Sequence, residues 1–252
     1  MTARADWSTW KMRVNNRLAR HLCTLPFRMR NPYPMVSFTF DDFPESAATV
    51  GASLLEQHHA KATFYVSGNL AGTWCGHWQG ISNDGIVALH RQGHEIACHT
   101  FSHLRTSDLD AAQLAAEISK NRRYLLALDP SIRIENFAYP YGAGSVWRKT
   151  QLAKIFHSSR GIVPGVNAGV ADLQFLRSTP LINHDIDRDG IERAFDEAVA
   201  RNGWLIFYSH DVANKPSPYG CSPDLLRHAL DTAFRRQVQI MTVAEALRAA
   251  GA

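Results

Sequence analysis

Asp41 and Asp42 stand side by side at the end of Met35 to Phe40, an apolar run that alternates β-branched and aromatic residues as a buried strand would. Pro44 stops the run, so both carboxylates fall at the strand's carboxyl end, where α/β sheets keep their chemistry. Adjacent like charges repel unless a cation separates their roles, one carboxylate binding it while the other stays free as a base. The alternative is an Asp pair that opens a loop and caps a helix from Ser46. A second short run, Glu95 to Cys98, leads into His99 and His103. If the chain after Cys98 coils into a helical turn, these two imidazoles share a face, with Cβ atoms roughly 5–6 Å apart. Both then reach one metal at about 2.0–2.1 Å, and a carboxylate completes three protein ligands with a position left open for water.

Two more strand ends carry polar signals. Pro140, Tyr141 and Gly142 follow a run at 132–138, and His210 follows Trp204 to Ser209. Each has a plainer alternative: a tight turn for the first, a hydrogen-bonded loop histidine for the second in a chain with twelve histidines.

Together these segments resemble the polysaccharide deacetylases of the NodB-homology type, carbohydrate esterase family 4, over roughly residues 33 to 248. The family's Thr-Phe-Asp-Asp motif is matched at Thr39 to Asp42, and its histidine motif at His99 and His103. The resemblance implies that Asp41 is the catalytic base and that Asp42, His99 and His103 are the metal ligands. It also implies that the Tyr141 backbone N–H binds the oxyanion and that His210, in Tyr208-Ser209-His210, is the general acid. One departure stands out: where the third motif has arginine, this chain has Ala138. Arg160 is the candidate to supply the missing charge, with binding of a substrate phosphate or simple exposure as alternatives. For the acid that tunes the histidine, Asp185, Asp187 and Asp189 are candidates, against a solvated loop or a helix N-cap.

Several elements must position these residues. Strand-like runs at 35–41, 61–67, 94–98, 132–138, 174–182, 204–209 and 237–241 alternate with helical patterns at 46–58, 82–92, 108–128, 144–156, 189–201, 222–236 and 242–249. Alternation predicts a parallel sheet. With the resemblance, it predicts an α/β fold, a distorted TIM-like (β/α)7 barrel of the NodB-homology type with an N-terminal helical extension. Thr242 and Glu245 form a capping-box pattern. Loops at 68–81 and 211–222 are expected to rim the mouth, with Trp74, Trp78 and Tyr219 available to stack on sugar faces or to pack the loops down.

The chain's 252 residues, 45% hydrophobic, suit one barrel-sized domain. Cys23, Cys75, Cys98 and Cys221 form no CxxC pair, so a disulfide scaffold or structural zinc site is not indicated and a reducing compartment is the simpler expectation. No apolar stretch is long enough to span a membrane, and no secretory signal is legible. Net charge is +4, with seven Lys/Arg against Asp6 in residues 1–30, hence +6 there and −2 in the remainder. The expected division is therefore a basic amphipathic extension, 1–30, and a catalytic domain, 31–252. Trp7, Trp10, Val14, Leu18 and Leu22 recur at helical spacing, with Lys11, Arg13, Arg17 and Arg20 mostly on other faces. Such a helix suits an anionic membrane surface, or docks its stripe on the barrel. Nucleic acid is not an expected partner, because the domain itself is not basic.

The expected function is metal-dependent removal of an N-acetyl or similar small acyl group from an amino sugar in a polysaccharide or lipid-linked glycan precursor. Zn²⁺ is the expected metal, with Co²⁺, Mn²⁺ or Ni²⁺ as alternatives. Cytoplasmic location, peripheral at the inner membrane face, fits the charge and the missing signal. The rival readings are a sugar deformylase, an O-acetyl esterase, a cyclic amide hydrolase and a non-catalytic glycan-binding member.

Overall fold

The structure is a computed structural model that describes residues 14–15, 17–22 and 24–252. Its strands in chain order are β1 Pro26–Arg28, β2 Met35–Asp41, β3 Thr63–Val66, β4 Glu95–Cys98, β5 Asn136–Ala138, β6 Ser158–Arg160, β7 Val170–Asp172, β8 Thr179–Pro180, β9 Trp204–Ser209 and β10 Gln239–Ile240. A single sheet runs β6-β5-β4-β3-β2-β9-β8, every pair parallel, with β10 on β2 as well. One edge of β2 is covered by β9, and the other is shared between β10 at Met35 and Val36 and β3 from Thr39 onward. Helices cross over between strands, as the alternation predicts, and the sheet curls into the distorted barrel that the family resemblance implies.

Between β6 and β8 the wall is closed by irregular chain. Leu176 N–H donates to the Ser159 carbonyl and Gly161 N–H to the Leu176 carbonyl. The strand expected at 174–182 is thus reduced to Thr179–Pro180, and β6, which was not expected, takes its place in the wall. The β6 sequence has no apolar alternation because its buried hydroxyls are satisfied by side chains: Ser158 Oγ donates to Asn136 Oδ1 and Ser159 Oγ to Gln174 Oε1, each at 2.8 Å. The run at 132–138 is likewise strand only over Asn136–Ala138.

Period-two alternation sorts the strand side chains into two sets. Val36, Phe38, Phe40, Phe64, Val66, Ile96, Phe137 and Phe207 pack outward under the helices in the main core. Inward residues stack in layers along the barrel. At the bottom, Met35, Trp204 and Ile206 meet Val243, Ala246 and Leu247 of the C-terminal helix Val243–Ala250, which carries the expected Thr242/Glu245 capping box. Above them, Glu95 accepts from Thr63 Oγ1 (2.8 Å), Asn136 Nδ2 (2.6 Å) and the Ala244 N–H (2.9 Å), so the positive end of that helix faces a buried carboxylate. The top layer holds Asp41, Tyr65, Ala97, Ala138 and Arg160.

Residues 14–15 and 17–21 are helical, and the chain continues into β1, which pairs antiparallel with β7. This stretch faces the barrel through the fully buried Ala19, while Leu18 and Leu22 remain 45% and 49% exposed. Lys149, fully buried, donates to the Ala19 and Leu22 carbonyls and to Asp172 Oδ2, and so caps the helix at its negative end. Trp7, Trp10, Lys11, Arg13 and Cys23 lie outside the described residues. Among the described residues, no helix is long and apolar enough to cross a membrane, and Cys75, Cys98 and Cys221 are free.

Candidate metal and catalytic centre

Asp41 is the last residue of β2, paired in register with Tyr65 of β3. Alternation alone would send Asp42 to the opposite face. It does not, because Asp42 and Phe43 both adopt left-handed backbone, with φ 58° and 64°. Such backbone costs of order 1–3 kcal/mol per non-glycine residue and persists only where its surroundings over-determine it. Phe43 is buried against Phe64 at 4.5 Å between ring centroids, and its carbonyl accepts the Ile81 N–H. Ser46 does not cap its helix; its Oγ accepts the Val212 N–H instead.

His99 and His103 do come together, with ring centroids 4.9 Å apart, but not through a helical turn. Residues 99–105 form no helix. Thr100 and His103 take left-handed backbone, φ 59° and 54°, and the carboxylate of Glu117, on the helix Ala111–Leu128, accepts the N–H groups of Phe101 (3.1 Å) and Ser102 (2.7 Å). Glu117 therefore holds the loop between the two imidazoles. The sequence reading missed it, since one glutamate among helical surface positions carries no signal. Glu117→Ala should fold and weaken metal affinity by about 10–100-fold, as loss of supporting partners around ligands does; metal titration of the purified variant checks it.

One carboxylate oxygen of Asp42 and one ring nitrogen each of His99 and His103, which could together hold a metal, lie within 4.8 Å of one another. His99 Nδ1 is 2.8 Å from the Ala138 carbonyl, which can only accept, so Nδ1 carries the proton and the Nε2 lone pair points into the site. Burial depresses the His99 pKa to about 4, against the opposing pull of Asp41 and Asp42, so the ring is neutral. Its Nε2 faces Asp42 Oδ1 at 3.6 Å, and His103 Nε2 faces the same oxygen at 3.0 Å. Burial raises the Asp42 carboxyl, but His103, His99 and His210 outweigh it and hold it at about 2. Asp42 Oδ1 is buried without a partner of hydrogen-bonding geometry. Two acceptors, an ionised carboxylate and a neutral imidazole, thus converge with no proton between them. This donor set fits a borderline divalent cation.

Asp41 is buried and in contact with Arg160 Nη2. Burial works to raise its pKa, yet Arg160, His99 and His210 prevail and hold it below the usual carboxylate range. Arg160 is itself fully buried, with Nη1 donating to the Gly161 carbonyl at 3.0 Å. Its guanidinium carbon lies 5.0 Å from the Tyr65 ring centroid and 5.3 Å from that of Tyr208, two neighbours the sequence reading did not single out. Ala138 and Arg160 are register partners across β5 and β6. The guanidinium that the third motif would place at Ala138 is thus offered from the adjacent strand, over the space the small side chain leaves.

Tyr141 sits at φ 58° in the Pro140–Gly142 turn, where Gly142 and Ala143 direct their N–H groups to Tyr139 and Pro140. The Tyr141 ring lies 4.4 Å from that of His103, with Arg105 4.4 Å over it. His210 Nδ1 is 3.1 Å from the Tyr219 carbonyl; this places a proton on Nδ1 and leaves Nε2 for another partner. Trp78 and Tyr219, from the two long loops, flank His210 at 5.5 and 5.7 Å, while Trp74 is 67% exposed. Asp187 caps the helix Arg188–Ala200 by accepting the Gly190 N–H, and Asp185 lies beside His184. Among the described residues no carboxylate hydrogen-bonds to His210; its ring is oriented by a carbonyl.

A family model for polysaccharide deacetylases matches residues 28–155. The chitooligosaccharide deacetylase of Sinorhizobium fredii is 28% identical over 223 residues, 86% of this chain and 86% of that protein. Among solved structures, the chitin deacetylase of Colletotrichum lindemuthianum aligns with a TM-score of 0.61 at 18% identity, covering 86% of this chain and 89% of its own. The family 4 acetyl xylan esterase of Clostridium thermocellum, solved in complex with a cobalt ion, aligns with a TM-score of 0.60 at 21% identity, covering 85% and 90%. The family match spans half of the sequence and takes in β2, β4 and β5, the strands that present the carboxylates, the histidines and the Tyr141 turn. The chain therefore belongs to the polysaccharide deacetylase family.

Proposed function

We infer that the protein hydrolyses the N-acetyl group of an amino sugar within a glycan or glycan precursor, releasing acetate and a free amine. The observation that carries this reading is the convergence of the Asp42, His99 and His103 acceptors beside a second carboxylate held ionised by Arg160. A divalent cation held by Asp42, His99 and His103, which we take to be Zn²⁺ with Co²⁺, Mn²⁺ or Ni²⁺ able to replace it, would supply Lewis acidity toward the acetamide carbonyl and the attacking water. Asp41 accepts a proton from that water, and Arg160 keeps it ionised and aimed. The Tyr141 N–H donates to the oxygen that becomes negative as the carbonyl carbon turns tetrahedral. His210 delivers a proton from Nε2 to the departing nitrogen, its ring held by the Tyr219 carbonyl. The proton balance closes: one leaves the water, one arrives at the amine, and no covalent enzyme intermediate forms.

Tyr219, 47% exposed beside His210, and the exposed Trp74 offer aromatic faces to a sugar, whereas Trp78 is buried and packs its loop down against His210 and Tyr219. Incubation with N-acetylated chitooligosaccharide, acetylated xylan and N-formylated amino sugar, followed by acetate and formate assays, tests the reading. Acetate from the first substrate at the highest kcat/KM is expected; preference for xylan or for formate would replace it with an esterase or a deformylase.

We also propose the division into a basic extension, 1–30, and a catalytic domain, 31–252, with the extension contacting the anionic inner face of a membrane from the cytoplasm. Support comes from the +6 charge of that segment and from Leu18 and Leu22, which face solvent. Because Ala19 is buried and Lys149 bonds to the carbonyls of this stretch, deletion of 1–30 would damage the barrel. The informative variants are Leu18→Asp and Leu22→Asp in the full chain, which should lose binding to anionic vesicles.

A further inference from the structure

A cavity of about 320 Å³ lies on the flank of the barrel, between the docked N-terminal helical stretch and the chain at 163–177, which is irregular on either side of β7. Arg20 and His21 reach it from the helix, Arg177 from the irregular chain and Arg201 from beyond the helix Arg188–Ala200, so cationic groups from three separate elements meet there. The acid in its lining, Asp172, is already committed: its oxygens accept from Lys149 Nζ and from the N–H groups of Thr24, Leu25 and Gln174. Arg201 shares its charge with Glu197 at 2.6 Å. Arg20 and Arg177 form no ion pair among the described residues.

Arg177 is held in place. Its N–H donates to Asn167 Oδ1, its carbonyl accepts from Asn167 Nδ2, and its Nη1 donates to the Pro164 carbonyl, each at 3.0 Å. That leaves Nε and Nη2, one edge of the guanidinium fork, for another acceptor. Gly165, at φ 125°, allows the chain to turn beside that side chain. Two unpaired guanidinium groups and an imidazole over one concavity match the planar, bidentate demands of a phosphate. The cavity exceeds a bare phosphate in size, and Val163, Val166, Val170 and Phe175 provide apolar wall for a substituent.

We propose that this flank cavity is a phosphate-binding site, separate from the catalytic mouth, that takes a phosphate ester through Arg20 and Arg177. The phosphate comes either from an anionic phospholipid headgroup or from a soluble phosphate, and the two are separable. The site does not depend on the hydrolase reading, and its failure would leave that reading intact.

The test uses the full chain, with Arg177→Gln and the double variant Arg20→Gln, Arg177→Gln, neither touching the catalytic residues. Calorimetric titration with inorganic phosphate and diphosphate, and co-sedimentation with phosphatidylglycerol or phosphatidylcholine vesicles, are run at physiological salt. Binding weakened at least about tenfold in the double variant, with deacetylase turnover unchanged, is expected. Vesicle binding that diphosphate competes away assigns the headgroup; binding of soluble phosphate without vesicle binding assigns the soluble ligand. Equal behaviour of wild type and double variant toward every probe, including no binding by either, overturns the proposal.

Discussion

Asp41→Asn should keep its metal and lose turnover by about 10²–10⁴-fold, the contribution of a positioned general base, whereas Asp42→Asn should lose the metal. The two carboxylates are adjacent in sequence, but their surroundings push their roles apart. Asp41 lies against Arg160, which satisfies it without a metal. Asp42 Oδ1 is buried, faces two imidazoles and lacks a hydrogen-bond partner. His99→Ala should behave as Asp42→Asn does, because it removes the neutral nitrogen that faces the same oxygen. Metal content after dialysis and single-turnover acetate release together read out the distinction. Equal metal loss from Asp41→Asn and Asp42→Asn would remove the basis for the base assignment.

Arg160→Ala should be costly twice over. It leaves Asp41 buried without its counter-charge, which destabilises the fold by about 3–5 kcal/mol, and it frees the base to move, which costs roughly 10²-fold in turnover. Denaturant unfolding measures the first effect and steady-state kinetics the second. A second substitution separates position from mere charge: because Ala138 and Arg160 are register partners, Ala138→Arg in the Arg160→Ala background returns a guanidinium to the neighbouring strand. Partial recovery of turnover is expected, while recovery of stability alone would reduce Arg160 to a packing role.

The strands that carry the site were legible because they obey the alternation of a half-buried strand. β2 and β9 fall where their apolar runs place them. The Asp and His residues were legible by type and spacing, and they meet as the spacing suggests. The means of their meeting was not legible. Asp42, Phe43, Thr100, His103 and Tyr141 all adopt left-handed backbone at the rim, and nothing in a phenylalanine or tyrosine announces that conformation. β6 escaped notice because its inward residues are Ser158 and Arg160, whose burial depends on partners distant in sequence. The N-terminal stretch was legible as amphipathic, but among its described residues Ala19 and Asn15 face the barrel, with Leu18 and Leu22 turned outward.

Amide hydrolysis is proposed to depend on a metal held by Asp42, His99 and His103. The most direct test is acetate release from an N-acetylated chitooligosaccharide by chelator-stripped protein, before and after stoichiometric Zn²⁺, in wild type and in His99→Ala. No release from stripped wild type, restoration on metal addition, and neither metal uptake nor restoration in His99→Ala are expected. Full activity in stripped protein, or restoration in His99→Ala, would contradict that dependence.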